Sequence, residues 1–229
     1  MPAAVLPRKQ PSAKSKAGAV SEVQETSARI VAATRELMIE NGILEVSLAD
    51  ITARAGVNVA LVSYHFGGRE GLMLAVAKAD AQRAISDLTR LIASDHSPTL
   101  KMWLHVAGLI GAHFQRPYLN RLLQKMLREG SPEAAKEIGN TFIRPVFEAR
   151  KAIIEEGITS GEFRDVDPAL VGFAIDGACA QIFSSAASRY AILGDGTLSA
   201  DLSLRYQKST ADIIINGLLS SSAVEQSGR

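Results

Sequence analysis

Cysteine is almost missing from this chain. Cys179 is the only one in 229 residues, which excludes an intramolecular disulfide framework and suits a reducing cytoplasm. Aromatic residues are scarce, at 5%, while alanine and leucine are plentiful, a balance that favours helices over strands. No stretch alternates apolar and polar residues long enough to make a strand. The N-terminus lacks the apolar run of a signal peptide. The most apolar long stretch, roughly 168–193, is interrupted by Asp176, Gln181 and Arg189, so no membrane partner is expected. An excess of one charge is missing too: the net charge of +1 argues neither for nor against nucleic acid. Catalytic patterns are absent. There is no Ser/His/Asp order, no glycine-rich phosphate loop and no zinc spacing. His105 and His113 lie eight apart with no carboxylate at ligand spacing. Neither an enzyme, a metal site nor a cofactor is expected, and Cys179, in an apolar helix, reads as inert core.

Apolar residues make up 47% of the chain, enough for a substantial core, and the periodicity is helical throughout. Residues 1–20 carry Arg8, Lys9, Lys14 and Lys16 with no acid. They read as a disordered basic arm, either a plain tail or a source of extra phosphate contacts. A first helix is expected from about Glu22 to Asn41, with Ile30, Val31, Leu37 and Met38 on one face and Gly42 as its stop. Ser47 with Asp50 three residues on makes a capping box in its Asp form. Leu48, Ile51 and Ala55 are then the apolar contacts of a second helix. Gly56 turns the chain, and Asn58 caps a third helix that Gly67 ends. A fourth runs from near Gly68 to about Ala93 and buries Leu72, Met73, Val76, Ala79, Ile85 and Leu88. After the break at Ser94–Pro98, helical segments follow at about 99–114, 117–129, 132–157, 167–191 and 199–220. The expected fold class is all-α: an N-terminal three-helix unit (21–80) joined by a long helix to a larger helical domain (81–222), with a flexible tail at 223–229.

Two short helices around a Gly turn make a helix-turn-helix. A helix entering the major groove must keep its leading face slim, or its backbone is held away from the base edges. The third helix offers Asn58, Val59, Ala60 and Ser63 there. Val59 and Ala60 suit thymine methyls, Ser63 can donate or accept, and Asn58 could reach an adenine in competition with its capping role. Phosphate contacts are expected from Ser47 at a positive helix end and from Tyr64, His65 and Arg69, with Arg54 a weaker candidate. His65 could instead be structural, and the Tyr64 ring could pack on the fourth helix while its hydroxyl reaches phosphate.

Residues 26–75 resemble the N-terminal domain of the TetR family of bacterial transcriptional regulators. The resemblance rests on Arg29-Ile30, Ala32-Ala33, Leu37, Gly42, Ser47, Ile51, Ala55-Gly56-Val57, Tyr64-His65-Phe66-Gly67, Arg69-Glu70 and Leu72. Ser63, where the family often has Tyr, and Gly68, where Ser, Asn or Thr commonly caps the fourth helix, depart from the pattern. The segments 140–148 and 157–168 resemble later parts of such chains. The resemblance implies a cytoplasmic, homodimeric regulator, a ligand-released repressor on a palindromic double-stranded DNA operator. It places the dimer interface on the helices near 167–191 and 199–220, and the small residues at 174–188 agree by allowing close helix approach. A pocket for a small, mainly apolar effector would be lined by Trp103, His113, Phe114, Met126 and Phe147, with His105 and Phe142 near. Arg116, Arg121 and Arg144 could meet an anionic group, though exposed arginines are normally plain surface. The alternative is a DNA-binding module whose C-terminal domain is only a protein-interaction surface. An all-α enzyme that carries the motif by chance is a remote third.

Overall fold

The structure is a computed structural model that describes residues 13–42 and 44–221, with side chains from residue 22 onward. The parts of the expected basic arm at 1–12 and of the tail at 223–229 lie outside the described residues. Helices account for all the regular structure among those described, apart from one isolated antiparallel bridge between Phe163 and Leu219. Helix α1 spans Ala13–Asn41. It begins well before Glu22, so Lys14 and Lys16 fall on a helix and not on an arm; the alanines and lysines there are good helix formers. Helices α2 (Leu48–Ala55), α3 (Ala60–Phe66) and α4 (Arg69–Ile92) complete the first unit.

Four later helices have proline as their first residue: α5 (Pro98–Gln115), α6 (Pro117–Glu129), α7 (Pro132–Ile138) and, further on, α9 (Pro168–Ser184). Proline fits there because that turn's N–H groups have no intrahelical acceptor anyway. A π-helical turn at Gly139–Ile143 runs from α7 into α8 (Arg144–Thr159).

The apolar segment expected as one helix over 167–191 is two. Helix α9 ends at Ser184, Ser185 is extended, and α10 (Ala186–Leu193) leaves at 88°. Two side chains make the break. The Ser185 hydroxyl accepts the Ser188 N–H (3.2 Å), capping α10. The buried Arg189 guanidinium donates to the carbonyls of Ile182 (2.8 Å) and Gly196 (2.9 Å). One arginine thus satisfies an orphaned carbonyl at the end of α9 and fixes the loop after α10. Helix α11 (Ala200–Leu218) closes the fold. No single helix among the described residues is long and apolar enough to cross a membrane.

The core divides into two clusters. The first holds Ile30, Leu37 and Met38 of α1, Ile51, Val62, and Leu72, Met73 and Val76 of α4; Tyr118, Leu122 and Met126 of α6 and Ile138 of α7 complete it. The second holds Met102, Val106 and Ile110 of α5 with Ile153, Ile154, Ile175, Cys179, Ala211 and Ile215. The domain boundary expected at residue 80 is therefore not a break in the core, because α6 and α7 pack on the first unit. One expectation for α4 also changes. Ala79 is exposed, and the neighbouring Asp80 is buried in its stead.

Candidate nucleic-acid interface

The α2–α3 unit forms from local signals. Ser47 is extended, and its hydroxyl accepts the Asp50 N–H (3.0 Å) while donating to the Asp50 carboxylate (2.6 Å). Asp50 at this helix end also complements the positive end of the dipole. Ile51 N–H donates to the Ser47 carbonyl, so the amides of Leu48 and Ala49 are left without a protein acceptor among the described residues. Those amides, more than the committed Ser47 hydroxyl, are what an anion would meet here. Gly56 then adopts φ 64° and ψ 40°, a left-handed conformation glycine takes at no steric cost. The Asn58 Oδ1 accepts the Ala60 N–H (2.8 Å) and launches α3. Bidentate recognition of adenine needs both the oxygen and the nitrogen of an Asn side chain. With Oδ1 held toward the Ala60 N–H, the NH2 donor is the Asn58 group left wholly free for a base.

Helix α3 separates its faces. Val62 is fully buried and Phe66 packs against the same cluster, while Val59, Ala60, Ser63 and Tyr64 are exposed, Tyr64 at 73%. No bulky charged side chain stands among Val59, Ala60 and Ser63, so this face is slim. His65 is half-buried between two rings, with centroids 5.1 Å from Tyr64, edge on, and 6.0 Å from Phe66. Gly71 fixes how closely α4 follows. A Cβ there would stand 1.8 Å from the Phe66 carbonyl oxygen, so a larger residue would push the recognition helix off its seat.

The basic residues at the flanks are less free than the sequence suggested. Arg69 Nη1 donates to the Val46 carbonyl (2.6 Å), which ties the start of α4 to the loop before α2. Arg54 is taken up on its own surface. It pairs bidentately with Glu40 at 2.9 Å and reaches Glu36 at 3.5 Å, so the weaker phosphate candidate is a brace between α2 and α1. Its hydrogen bonds hold the Glu40 carboxyl below the ordinary range.

Helix α6 fastens this unit to the rest of the chain. Arg121 donates to the Gly42 carbonyl (2.9 Å), and Lys125 pairs with Glu45 (3.1 Å). At the α6–α7 corner, Ser131 donates its N–H (2.8 Å) and hydroxyl (2.7 Å) to the Glu70 carboxylate. Those two bonds, the backbone one first, lower the Glu70 carboxyl's affinity for protons. A groove of about 600 Å³ lies between these elements, with Leu44, Val46, Met73, Leu122 and Met126 on its apolar wall.

Of the expected effector-pocket residues, Met126 is separated from the others. Met126 belongs to the first core cluster and borders that groove. Trp103 and Phe114 pack on the second cluster, where Trp103 Nε1 donates to Asp212 (3.3 Å). His113 stacks obliquely on Phe183 at 5.7 Å, and Phe147 is half-buried. Met126 is separated because α6 turns its apolar face toward α1 and α4.

Sequence reasoning missed the polar centre of the second cluster. Arg150 is buried, donating to His105 Nε2 (3.2 Å), the Gly172 carbonyl (2.8 Å) and Asp176 (2.6 Å). Burial, and secondarily the Arg150 charge, pulls His105 down to about 3. The imidazole is therefore neutral with Nε2 as acceptor. His113 is lowered too, by burial opposed by Asp176. The Cys179 thiol is pushed up to about 12, chiefly by burial, in keeping with an inert core residue.

Against known proteins, residues 95–223, more than half of the chain, match the family model described as the tetracyclin repressor-like C-terminal domain. Residues 30–76 match that of bacterial regulatory proteins of the tetR family. The HTH-type transcriptional regulator BetI 1 of Chromohalobacter salexigens is 26% identical over 98 residues, 42% of this chain and 46% of that one. The chain thus matches about half the length of this curated relative. The fold resembles a TetR/AcrR-family regulator from Thermobifida fusca, at TM-score 0.66 and 24% identity, over 83% of this chain and 97% of that one. It also resembles the regulator FadR of Bacillus subtilis, solved with stearoyl-CoA, at TM-score 0.62 and 20% identity, over 83% and 98%.

Proposed function

The chain belongs to the TetR family of bacterial transcriptional regulators, with a helix-turn-helix DNA-binding domain, and is not an enzyme; from that premise we propose that it is a ligand-released repressor acting as a homodimer on a palindromic operator. The observation that carries the reading is the α3 surface. Val59, Ala60 and Ser63 stand exposed on a slim face while Val62 anchors the helix from behind. In this reading Val59 and Ala60 touch thymine methyls, Ser63 and the Asn58 NH2 read polar base edges, and Tyr64, His65, Arg69 and the Ser47 helix end meet phosphate.

Two-fold symmetry supplies the second recognition helix, about 34–36 Å away along the duplex. The dimer surface proposed is α9 with α11. Leu170 and Phe173 on α9 are 68% and 78% exposed, and Leu204 and Ile213 on α11 are 65% and 68% exposed. Ala174 and Gly177 are exposed beside them. Apolar side chains laid bare next to small ones suit a second pair of helices packing closely.

The effector proposed is small and mainly apolar, bound among α5, α8 and α9. The apolar second cluster supports that class, as does the acyl chain held by the Bacillus subtilis neighbour. A ligand that favours the DNA-incompetent arrangement shifts the population away from the operator. Selection of bound duplexes from a random pool tests the core reading, which predicts enrichment of one inverted repeat. Failure to retain any duplex at low salt would overturn it. A thermal-shift screen separates the ligand-released form from a C-terminal domain that only meets proteins, since an effector raises the melting temperature by mass action.

A further inference from the structure

A second cavity, of about 420 Å³, opens where α1, α4 and the α5–α6 corner meet, with Arg35, Asp80, Arg83, Gln115 and Arg116 at its walls. It lies far along α4 from the groove-facing helix and outside the second core cluster. Three of these residues are arginines and one is an acid, so the cavity carries an excess of positive charge.

Asp80 is already saturated. Its Oδ1 accepts from Arg35 Nη2 (2.8 Å) and stands 3.4 Å from Arg116 Nε, while its Oδ2 accepts the Tyr118 hydroxyl. Donors are left over on all three arginines. Arg35 Nε is buried with no acceptor, a costly state for a polar N–H. Arg116 keeps its Nη groups. Arg83 has no ion pair among the described residues, although it sits beside two other guanidinium groups at the same cavity. Guanidinium groups gathered in this way favour a counter-charge between them. Planar guanidinium groups match carboxylate and phosphate oxygens in a bidentate way.

We propose that this cavity is a binding site for a small organic dianion, a dicarboxylate or a phosphate ester, held by Arg83 and Arg116 beside Arg35. The volume falls within the range of small-molecule sites. Arg35 belongs to α1 of the DNA-binding unit and Arg116 to the corner that starts α6. An anion between them fixes the spacing of the two units directly. This role in regulation rests on the proposed function; the binding itself does not.

The test uses the full chain without DNA. Thermal melts and calorimetric titrations are run with succinate, with inorganic phosphate and with uncharged succinamide, at ionic strength held constant with sodium chloride. Succinate, phosphate or both raise the melting temperature saturably, and succinamide does not; which of the two acts identifies the anionic group. Arg83→Gln, which breaks no internal pair, melts like the wild type without ligand and weakens the dissociation constant about tenfold or more, the loss of one charge-assisted pair. Equal response of Arg83→Gln and wild type, or no response beyond that of chloride, overturns the proposal. A DNA-binding assay with the bound anion is read separately, so a protein that binds the anion but no duplex refutes the regulator reading and leaves the site standing.

Discussion

Ser63, Arg69 and His105 show how far single side chains carry the argument. Ser63 is exposed on α3 and can donate or accept at one base edge. Ser63→Ala should change preference at one position in each half-site, by about 1 kcal/mol. Titrating a set of operator variants checks this, and equal weakening across the set removes Ser63 from the base-reading face. Arg69 is expected to act oppositely. Arg69→Ala weakens all duplexes alike and lowers the salt slope by about one unit. Because Arg69 also holds the Val46 carbonyl, the same variant should speed amide exchange in the α1–α2 loop, and a change in base preference alone would refute the assignment. For His105 the sign is set by burial. Its folded value near 3 lies below the ordinary 6.5, so the unfolded chain binds the proton first. Its stabilising contribution is complete above about 6.5 and is lost progressively as pH falls toward 3. His105→Gln keeps an acceptor for Arg150 yet cannot be protonated. It should cost about 2 kcal/mol at pH 7 through imperfect geometry, while flattening the loss of stability between pH 7 and 5 in urea melts. An unchanged slope would show that another group sets it.

At the scale of elements, the legible parts were those specified locally. Ser47 with Asp50, the Gly56 turn and the buried Val62 lie within sixteen residues of each other, and their spacing alone dictates the α2–α3 unit. Prolines at 98, 117, 132 and 168 marked helix starts for the same reason. The break at Ser185 was hidden because small residues permit both a helix and a corner, and Arg189 decides between them through carbonyls seven residues away on either side. The Arg150 centre was hidden more deeply, since its partners at 105, 172 and 176 meet only when α5, α8 and α9 are packed. Met126, expected at an effector pocket, lies in the first cluster, because nothing in the sequence says which neighbour covers its buried face. The Glu70–Ser131 clamp illustrates the same limit and gives a test. Glu70→Gln replaces a charged acceptor of two bonds with a neutral one. It should lower the melting temperature and raise hydrogen exchange at the α6–α7 corner, with no change in the base preference of bound DNA. Unaltered exchange there would mean the corner is held by packing alone. The carboxyl's lowered proton affinity adds a sign: the clamp is complete above the ordinary carboxylate range and weakens as pH falls below it.

For the whole molecule, the proposed dimer makes the clearest demand. Phe173 is 78% exposed on α9, an expensive way to leave an aromatic ring unless another subunit covers it. Phe173→Glu should shift sedimentation from dimer toward monomer and weaken operator binding at least about tenfold, because a lone subunit keeps one half-site. A dimer unaffected by this change would place the interface elsewhere. The core shared by α1, α4 and α6 has a further effect on how this protein can be taken apart. Tyr118, Leu122, Met126 and Ile138 seal the first apolar cluster from outside the residues that resemble the DNA-binding domain. A fragment cut after α4 would lose the α6 and α7 part of this cluster and open that side of it to water. Its reading head should therefore graft onto a foreign regulator best with the chain carried through Ile138, and heat should melt the intact subunit's first cluster together with α6, in one step.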